Sequence, residues 1–316
     1  MKIHLITPAP PTSLAGNRTT AVRWAQIFRA LGHSVEISVD YNGEEADVMV
    51  ALHAWRSAAA IDLFATKYSD RPLIVAITGT DAYKFIHTHP QPTLHSIHCA
   101  DRLVGLHDLI AETIPKEHRH KMRVIYQSAR AIPSRQPVKL SFRVCVAGHL
   151  RDVKDSLRPA YAVRTLPESS RIKVEHFGKA HTPEWAEKAK AEMAINPRYR
   201  WHGEVSHTVL RKKYRSSHLL ALPSRMEGGA NVISEAITAG LPVIASHIDG
   251  SIGLLGKEYP GYYEVENTEQ LRDRLLQAES DKKYYRSLEN ACSKRRTLFT
   301  PEHEKRRWKE LLNELH

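Results

Sequence analysis

Two glutamates eight positions apart, Glu227 and Glu235, bracket the run Gly228-Gly229-Ala230-Asn231-Val232. A glycine pair lets the backbone approach a ligand closely, and a helix opening near Asn231 presents unpaired N–H groups and the positive end of its dipole to an anion. A diphosphate fits such a place. Glu235, about one turn into that helix, can accept hydrogen bonds from a vicinal diol such as ribose, while Glu227 stands on the loop, nearer a sugar. A second run, Gly148–Asp155, places His149, Arg151 and Lys154 directly after a predicted strand, where ligands bind in open α/β sheets. In the N-terminal half, the loop Pro8–Arg18 leads to a helix start. Gly16 and Asn17 can open a space there, and Arg18 and Arg23 face it or lie one turn on, a setting for a small anion. Thr78, Gly79, Thr80 and Asp81 follow the predicted strand Leu73–Ile77 and emerge at the same kind of edge.

The elements that must hold these loops are legible as alternation. Lys2–Thr7 reads as a buried strand and Thr19–Leu31 as a helix stopped by Gly32. Short strands recur at Val35–Val39, Asp47–Leu52, Leu73–Ile77, Arg102–Leu106 and Arg123–Ile125, separated by helical or loop stretches such as Ser57–Tyr68 and Ser96–Ala100. The Pro-bearing segment Ala131–Pro137 reads as a linker. Alternation then restarts: strand Phe142–Ala147, helix Ser156–Thr165, strand Ile172–Phe177, helix Pro183–Ala194, a short strand around Tyr199–His202, helix His207–Arg215, strand Leu219–Leu222, helix Asn231–Ala239, strand Pro242–Ala245. Thr268–His316 is charged and helical, with Trp308, Leu311, Leu312 and Leu315 spaced for one buried face. The expected division is an N-terminal domain over 1–134, a C-terminal domain over 135–295, and a helix over 296–316 crossing back to the first. The fold class is α/β, with parallel sheets.

The string Pro223–Ala236, followed by Gly240-Leu241-Pro242-Val243-Ile244, resembles the retaining family-four GT-B glycosyltransferases, whose C-terminal domain carries a Glu-x7-Glu element and then Gly-x-Pro-Val. The resemblance implies two Rossmann-like doubly wound domains facing each other across a cleft. It implies that Glu235 binds the donor's ribose, that Glu227 contacts its sugar, and that the amides of Gly228 to Val232 hold the diphosphate. In that family the loop after the first strand of the second domain has an Arg and a Lys, five residues apart, neutralising the leaving diphosphate. Lys154 matches; His149 stands where the Arg is expected and Arg151 is the available cation nearby, so the role is shared between those two. Fixed cations stabilise charge building on a leaving diphosphate without a metal, so no cofactor and no metal are expected. The first-domain loops, with Gly148–Asp155, Arg198–Trp201 and Met226–Asn231, resemble one branch, the selenosugar synthases of selenoneine biosynthesis. That likeness implies a UDP-sugar donor such as UDP-N-acetylglucosamine, selenophosphate as acceptor and a new carbon–selenium bond. A hydroxyl on a glycan, lipid or small metabolite is the alternative acceptor.

Composition bounds these readings. The chain has 316 residues, 42% hydrophobic and 26% charged, and a single core stops growing near roughly 250–300 residues, so two domains are the expectation. No apolar run spans a bilayer and Met1–Leu5 enters a strand-like segment, which reads as cytoplasmic, without stable membrane insertion. The three cysteines, Cys99, Cys145 and Cys292, have no ligand or disulfide spacing, and none of the nineteen histidines forms a recognised metal pattern. A net charge of +11 attracts anions. With no aromatic-basic recognition motif, the partners expected are a UDP-sugar and a small anionic acceptor rather than nucleic acid.

Overall fold

The computed structural model describes residues 1–13, 16–132 and 134–315. Leu14 and Ala15 of the predicted N-terminal loop, Pro133 of the predicted linker and the terminal His316 lie outside the described residues. The chain divides into two compact units, Met1–Gln127 with Pro301–His316, and Ser128–Thr300.

The first unit is built on β1 (Lys2–Ile6), β2 (Ser34–Ser38), β3 (Val48–Leu52), β4 (Leu73–Ile77), β5 (Arg102–Gly105) and β6 (Met122–Val124), all parallel, in the order β2-β1-β3-β4-β5-β6. Helices α1 (Gly16–Ala30), α2 (Ala58–Lys67), α3 (Ile86–Thr88) and α4 (Pro90–Cys99) accompany them. β3 and β4 read as unbroken apolar runs because both faces of a doubly wound sheet are covered. Val48, Val50 and Leu52 pack with Trp24 and Phe28 on one side, and Met49 and Ala51 pack with Phe64 and Ile97 on the other. The final helix of the chain contributes Trp308, Leu311 and Leu312 to the first of these faces. Trp308 meets Trp24 and Phe28 edge-on, with centroids 4.7 and 4.8 Å away. Beside it the fully buried Glu304 accepts from Trp24 Nε1 at 2.8 Å and from Arg23 Nε at 3.2 Å.

The second unit repeats the plan. It comprises β7 (Phe142–Ala147), α5 (Arg158–Val163), β8 (Ile172–Phe177), α6 (Pro183–Ile195), β9 (Tyr199–Trp201), α7 (His207–Ser216), β10 (Leu219–Leu222), α8 (Asn231–Thr238), β11 (Val243–Ser246), α9 (Asp249–Leu255), β12 (Tyr262–Tyr263), α10 (Thr268–Ser280) and α11 (Lys282–Arg295); α12 (Pro301–Asn313) is the helix counted with the first unit. The parallel sheet runs β12-β11-β10-β7-β8-β9.

The two parallel sheets with covering helices are the α/β architecture that the alternation predicts. The differences are local. The stretch from Ser96, read as helical or loop, is the end of a helix that begins at Pro90, where proline's fixed φ suits a first helical turn. The closing helical stretch is broken at Asp281, whose carboxylate accepts from Lys283 N at 2.8 Å and caps a new helix. Among the described residues no helix is long and apolar enough to cross a membrane.

Candidate active site

In the second sheet the strand order reverses between β7 and β10, so the loops leaving the carboxyl ends of these two strands diverge at a topological switch point. These are the loops that carry His149, Arg151 and Lys154 on one side and Glu227 on the other. Lys154 Nζ lies 2.5 Å from Glu227 Oε1, and Ser224 Oγ donates to that same oxygen at 2.6 Å. Glu227 is buried. Its backbone is fixed from behind: a Cβ at Gly250, in the first turn of α9, would fall 2.1 Å from the Glu227 carbonyl oxygen, so only glycine allows this approach. Ser246 Oγ ties the same loop to its sheet by donating to Ser224 O at 2.5 Å. Residues 246–250 therefore brace the Glu227 loop.

Gly229 has φ +150° and leads through Ala230 into α8. Ala230 occupies the N-cap position and offers no capping side chain; its carbonyl oxygen accepts from Ile233 N at 2.9 Å. One turn in, Glu235 is held at both carboxylate oxygens: His207 Nε2 lies 2.9 Å from Oε1, and the buried Tyr214 hydroxyl donates to Oε2 at 2.9 Å. His207 and Tyr214 are seven residues apart on α7, two turns on one face. The bond to Glu235 raises the His207 pKa, and burial followed by the Glu235 charge pushes the Tyr214 pKa well up, so its hydroxyl is a permanent donor.

The β7 loop distributes its cations unequally. His149 Nδ1 accepts from Lys179 N at 3.1 Å, and burial lowers its pKa, so the ring is neutral and Nε2 carries the proton. Lys154 is paired with Glu227. The Arg151 side chain has no ion-pair or hydrogen-bond partner among the described residues, and its Nε is buried and unsatisfied. The loop's first peptide is set by a relay in which Tyr199 donates to His176 Nδ1 at 2.9 Å and His176 Nε2 donates to Gly148 O at 2.8 Å. Burial drives the His176 pKa down to about 4, which keeps it neutral in this relay. The net charge is also divided unequally: the first unit has 17 basic and 16 acidic residues, the second 29 and 19. The excess positive charge therefore belongs to the unit that carries these loops.

In the first unit the order reverses between β1 and β3, and β4 is the next strand. Gly16, Asn17 and Arg18 form the first turn of α1, and the Arg18 side chain has no ion-pair or hydrogen-bond partner among the described residues. Arg23 lies further along α1 and is engaged by Glu304. Asp81 is turned inward: its carboxylate accepts from the amides of Gly79 at 2.7 Å, Thr78 at 2.9 Å, Ala54 at 3.1 Å and Ala82 at 3.2 Å, with no exposure to solvent. It builds the loop rather than facing a ligand. Gly79 has φ +120°, which this turn needs.

Thr80 points to a residue that the sequence reading left among nineteen histidines. Thr80 Oγ1 lies 2.9 Å from Nε2 of His53, which follows β3, while His53 Nδ1 accepts from Arg56 N at 3.2 Å. Burial lowers the His53 pKa, so the ring is neutral with the proton on Nε2. His53 has φ +76°, a conformation costly for a side chain with a Cβ, and such strain concentrates at functional sites. The π-helical turn Asp81–Phe85 beside it belongs to the same class of signal. The structure thus brings His53, Thr80 and Asp81 together at one sheet edge and pairs Arg23 of α1 with Glu304 of α12.

The family model described as glycosyl transferases group 1 matches residues 132–295. Among curated proteins, none matches at a significant level. Solved structures similar in fold include Anabaena HepE in complex with UDP and glucose (14% identity, TM-score 0.78, 100% of both chains), sucrose-phosphate synthase from Thermosynechococcus elongatus (15%, TM-score 0.82, 99% of this chain and 98% of that one) and a glycosyltransferase from Rickettsia africae (16%, TM-score 0.74, 99% and 98%). At these identities the likeness is one of fold, the GT-B pair of parallel-sheet domains. The chain belongs to the glycosyl transferases group 1 family, and it is a glycosyltransferase.

Proposed function

We propose that the chain transfers a sugar from a UDP-sugar, UDP-N-acetylglucosamine, to selenophosphate, forming a carbon–selenium bond. The observation that carries the donor half is the set of groups at the second sheet's switch point: the start of α8, where the cap residue Ala230 has no capping side chain, Glu235 on that helix, and the Lys154–Glu227 pair. HepE, similar in fold, is described with UDP and glucose bound, which supports a uridine nucleotide in the corresponding unit here.

In the reaction, Glu235 accepts hydrogen bonds from the ribose hydroxyls. The amides from Gly228 to Val232 hold the diphosphate, with Arg151 and Lys154 supplying positive charge as the C1–oxygen bond breaks. Arg151, unpaired, takes the cationic part of the role that the family gives to an Arg at position 149; neutral His149 adds a hydrogen-bond donor. No metal is needed for this step. Selenium's electron pair forms the bond to C1, the C1–oxygen pair leaves with UDP, and the selenium–phosphorus bond stays intact. Selenophosphate is already anionic, so no base must first remove a proton. Arg18 and the first turn of α1, with Thr80 and His53, meet the acceptor, while Asp81 and Arg23 hold the loop and helix in place. The acceptor half rests on the likeness of these loops to the selenosugar synthases.

The test is incubation of the protein with UDP-sugars and selenophosphate, with UDP release and selenium-bearing sugar read by mass spectrometry. Failure to release UDP from any donor refutes the donor half. Release with hydroxyl acceptors alone refutes selenophosphate.

A further inference from the structure

Arg225 lies two residues before Glu227 and is itself one-third exposed, and its polar contacts are made to two neighbouring loops. Its backbone N donates to Val153 O at 2.9 Å and Nη1 donates to Asp152 O at 3.2 Å and to the Asp152 carboxylate. Nε and Nη2 donate to Glu266 Oε1 at 3.0 and 2.5 Å. Two carboxylates and a carbonyl thus occupy most of the five N–H donors of the guanidinium, leaving it poorly placed to bind a phosphate.

What it grips is the turn that ends in Lys154. Asp152–Lys154 is a single 3₁₀ turn closed by two local bonds, Lys154 N to Arg151 O and Asp155 N to Asp152 O, and so short a turn has little stability of its own. Its next residue, Asp155, is left-handed at φ +43°, and Glu266 at the other end of the network is left-handed at φ +65°. Non-glycine residues keep that conformation only when their surroundings impose it. Here the imposition is ionic: Arg158 Nε donates to Asp155 Oδ2 at 2.7 Å and its Nη1 donates to Thr268 Oγ1 at 2.9 Å, while Nη2 lies 3.6 Å from Glu266. The chain Asp152–Arg225–Glu266–Arg158–Asp155 therefore joins three loops, those after β7, β10 and β12, and holds the turn from both ends.

We infer that Arg225 is a positioning residue for diphosphate recognition: it fixes the turn that aims Lys154, and contributes to nucleotide binding through Lys154 alone. The inference rests on the donor reading above. The test compares the affinities of uridine and UDP by isothermal titration calorimetry in the wild type, Arg225→Ala, Lys154→Ala and the double variant. Arg225→Ala is expected to lower the uridine-to-UDP Kd ratio by about tenfold, one ionic contact's worth, with the uridine Kd unchanged. In the Lys154→Ala background the same substitution is expected to change the ratio less than about twofold, because the cycle isolates a shared term. Glu266→Gln, at a half-exposed site, should show the same signature in smaller size and serves if Arg225→Ala does not fold. The inference is overturned by an unchanged ratio, by equal weakening of uridine and UDP, or by full additivity with Lys154→Ala. A wild type with no preference for UDP over uridine would instead overturn the donor reading, and this inference with it.

Discussion

Glu235 offers the sharpest perturbation because two substitutions separate its binding role from its structural one. The carboxylate is fixed by the buried Tyr214 hydroxyl on one oxygen and by His207 on the other. Glu235→Ala removes the acceptor of a hydroxyl with no access to solvent, and an orphaned buried donor costs about 1–3 kcal/mol. For a domain of this size each kcal/mol lowers Tm by roughly 2–4 °C, so a fall of about 2–12 °C is expected. Glu235→Gln keeps an oxygen for Tyr214, and Tm should move by less than about 2 °C. Binding behaves differently. Hydrogen bonds to a charged acceptor contribute about 1.5–3 kcal/mol each, so losing two ribose contacts weakens uridine and UDP by roughly a hundredfold or more. Glu235→Gln, which keeps geometry but loses charge, should lie between, at roughly tenfold. Titration calorimetry with uridine, beside thermal unfolding, reads both quantities. A uridine Kd within about threefold of wild type in folded Glu235→Ala would refute the assignment of ribose to this carboxylate.

Four further outcomes can be checked. Lys154→Ala and Arg151→Ala should each lower turnover by about 10²–10³-fold in a UDP-release assay, with His149→Ala smaller than either, since its ring is neutral. Gly250→Ala forces a methyl against the Glu227 carbonyl and should cost about 1–3 kcal/mol in denaturant unfolding, with loss of turnover beyond what the remaining folded fraction explains. Glu304→Ala leaves the Trp24 N–H and the Arg23 guanidinium without their buried acceptor and should destabilise the first unit by about 3–5 kcal/mol, read by urea unfolding. His207, whose folded pKa is raised above its ordinary value by Glu235, adds stability below that ordinary value and loses it as pH rises through the folded one; His207→Ala should therefore lower Tm near pH 6 and leave it unchanged near pH 9.

The fold was readable because its signal is local: apolar runs of strand length alternating with helical spacing, restarted after a Pro-bearing linker, as β3, β4 and β7 illustrate. The two-residue β12 and the seven-residue α9 escaped because neither is long enough to show a period. In the same way the Glu227–Glu235 string was conspicuous within one stretch of chain, whereas the groups that hold it come from afar. Tyr214 and His207 lie on a different helix, and their seven-residue spacing alone does not name Glu235 as their partner. His53 carried even less signal, one histidine among nineteen, until its left-handed backbone and its bond to Thr80 set it apart. Asp81 shows the converse, a polar residue at a promising sheet edge whose carboxylate is saturated by four loop amides. Periodicity cannot distinguish these two fates, because both depend on contacts between the loops after β3 and β4, whose partners stand 27 residues apart in the chain.

Under the proposed function, the pairing of Lys154 with Glu227 also explains how charge is kept at the site. An isolated buried carboxylate is costly, and Glu227 is buried; Lys154 and Ser224 together satisfy the one oxygen that faces them. A diphosphate offers Lys154 a stronger partner, carrying more charge than a carboxylate. As the ammonium turns to the phosphate, Glu227 is left needing donors, and the hydroxyls of the donor's sugar are the groups at hand. Capture of the diphosphate and contact with the sugar are then one exchange rather than two independent events. On this argument UDP alone, which has no sugar to compensate Glu227, binds at a cost that the complete donor does not incur. Glu227→Gln removes that cost, so it should tighten UDP while weakening the UDP-sugar, a crossing of affinities measurable in one pair of titrations. Parallel changes in the two would show that Lys154 and Glu227 act separately.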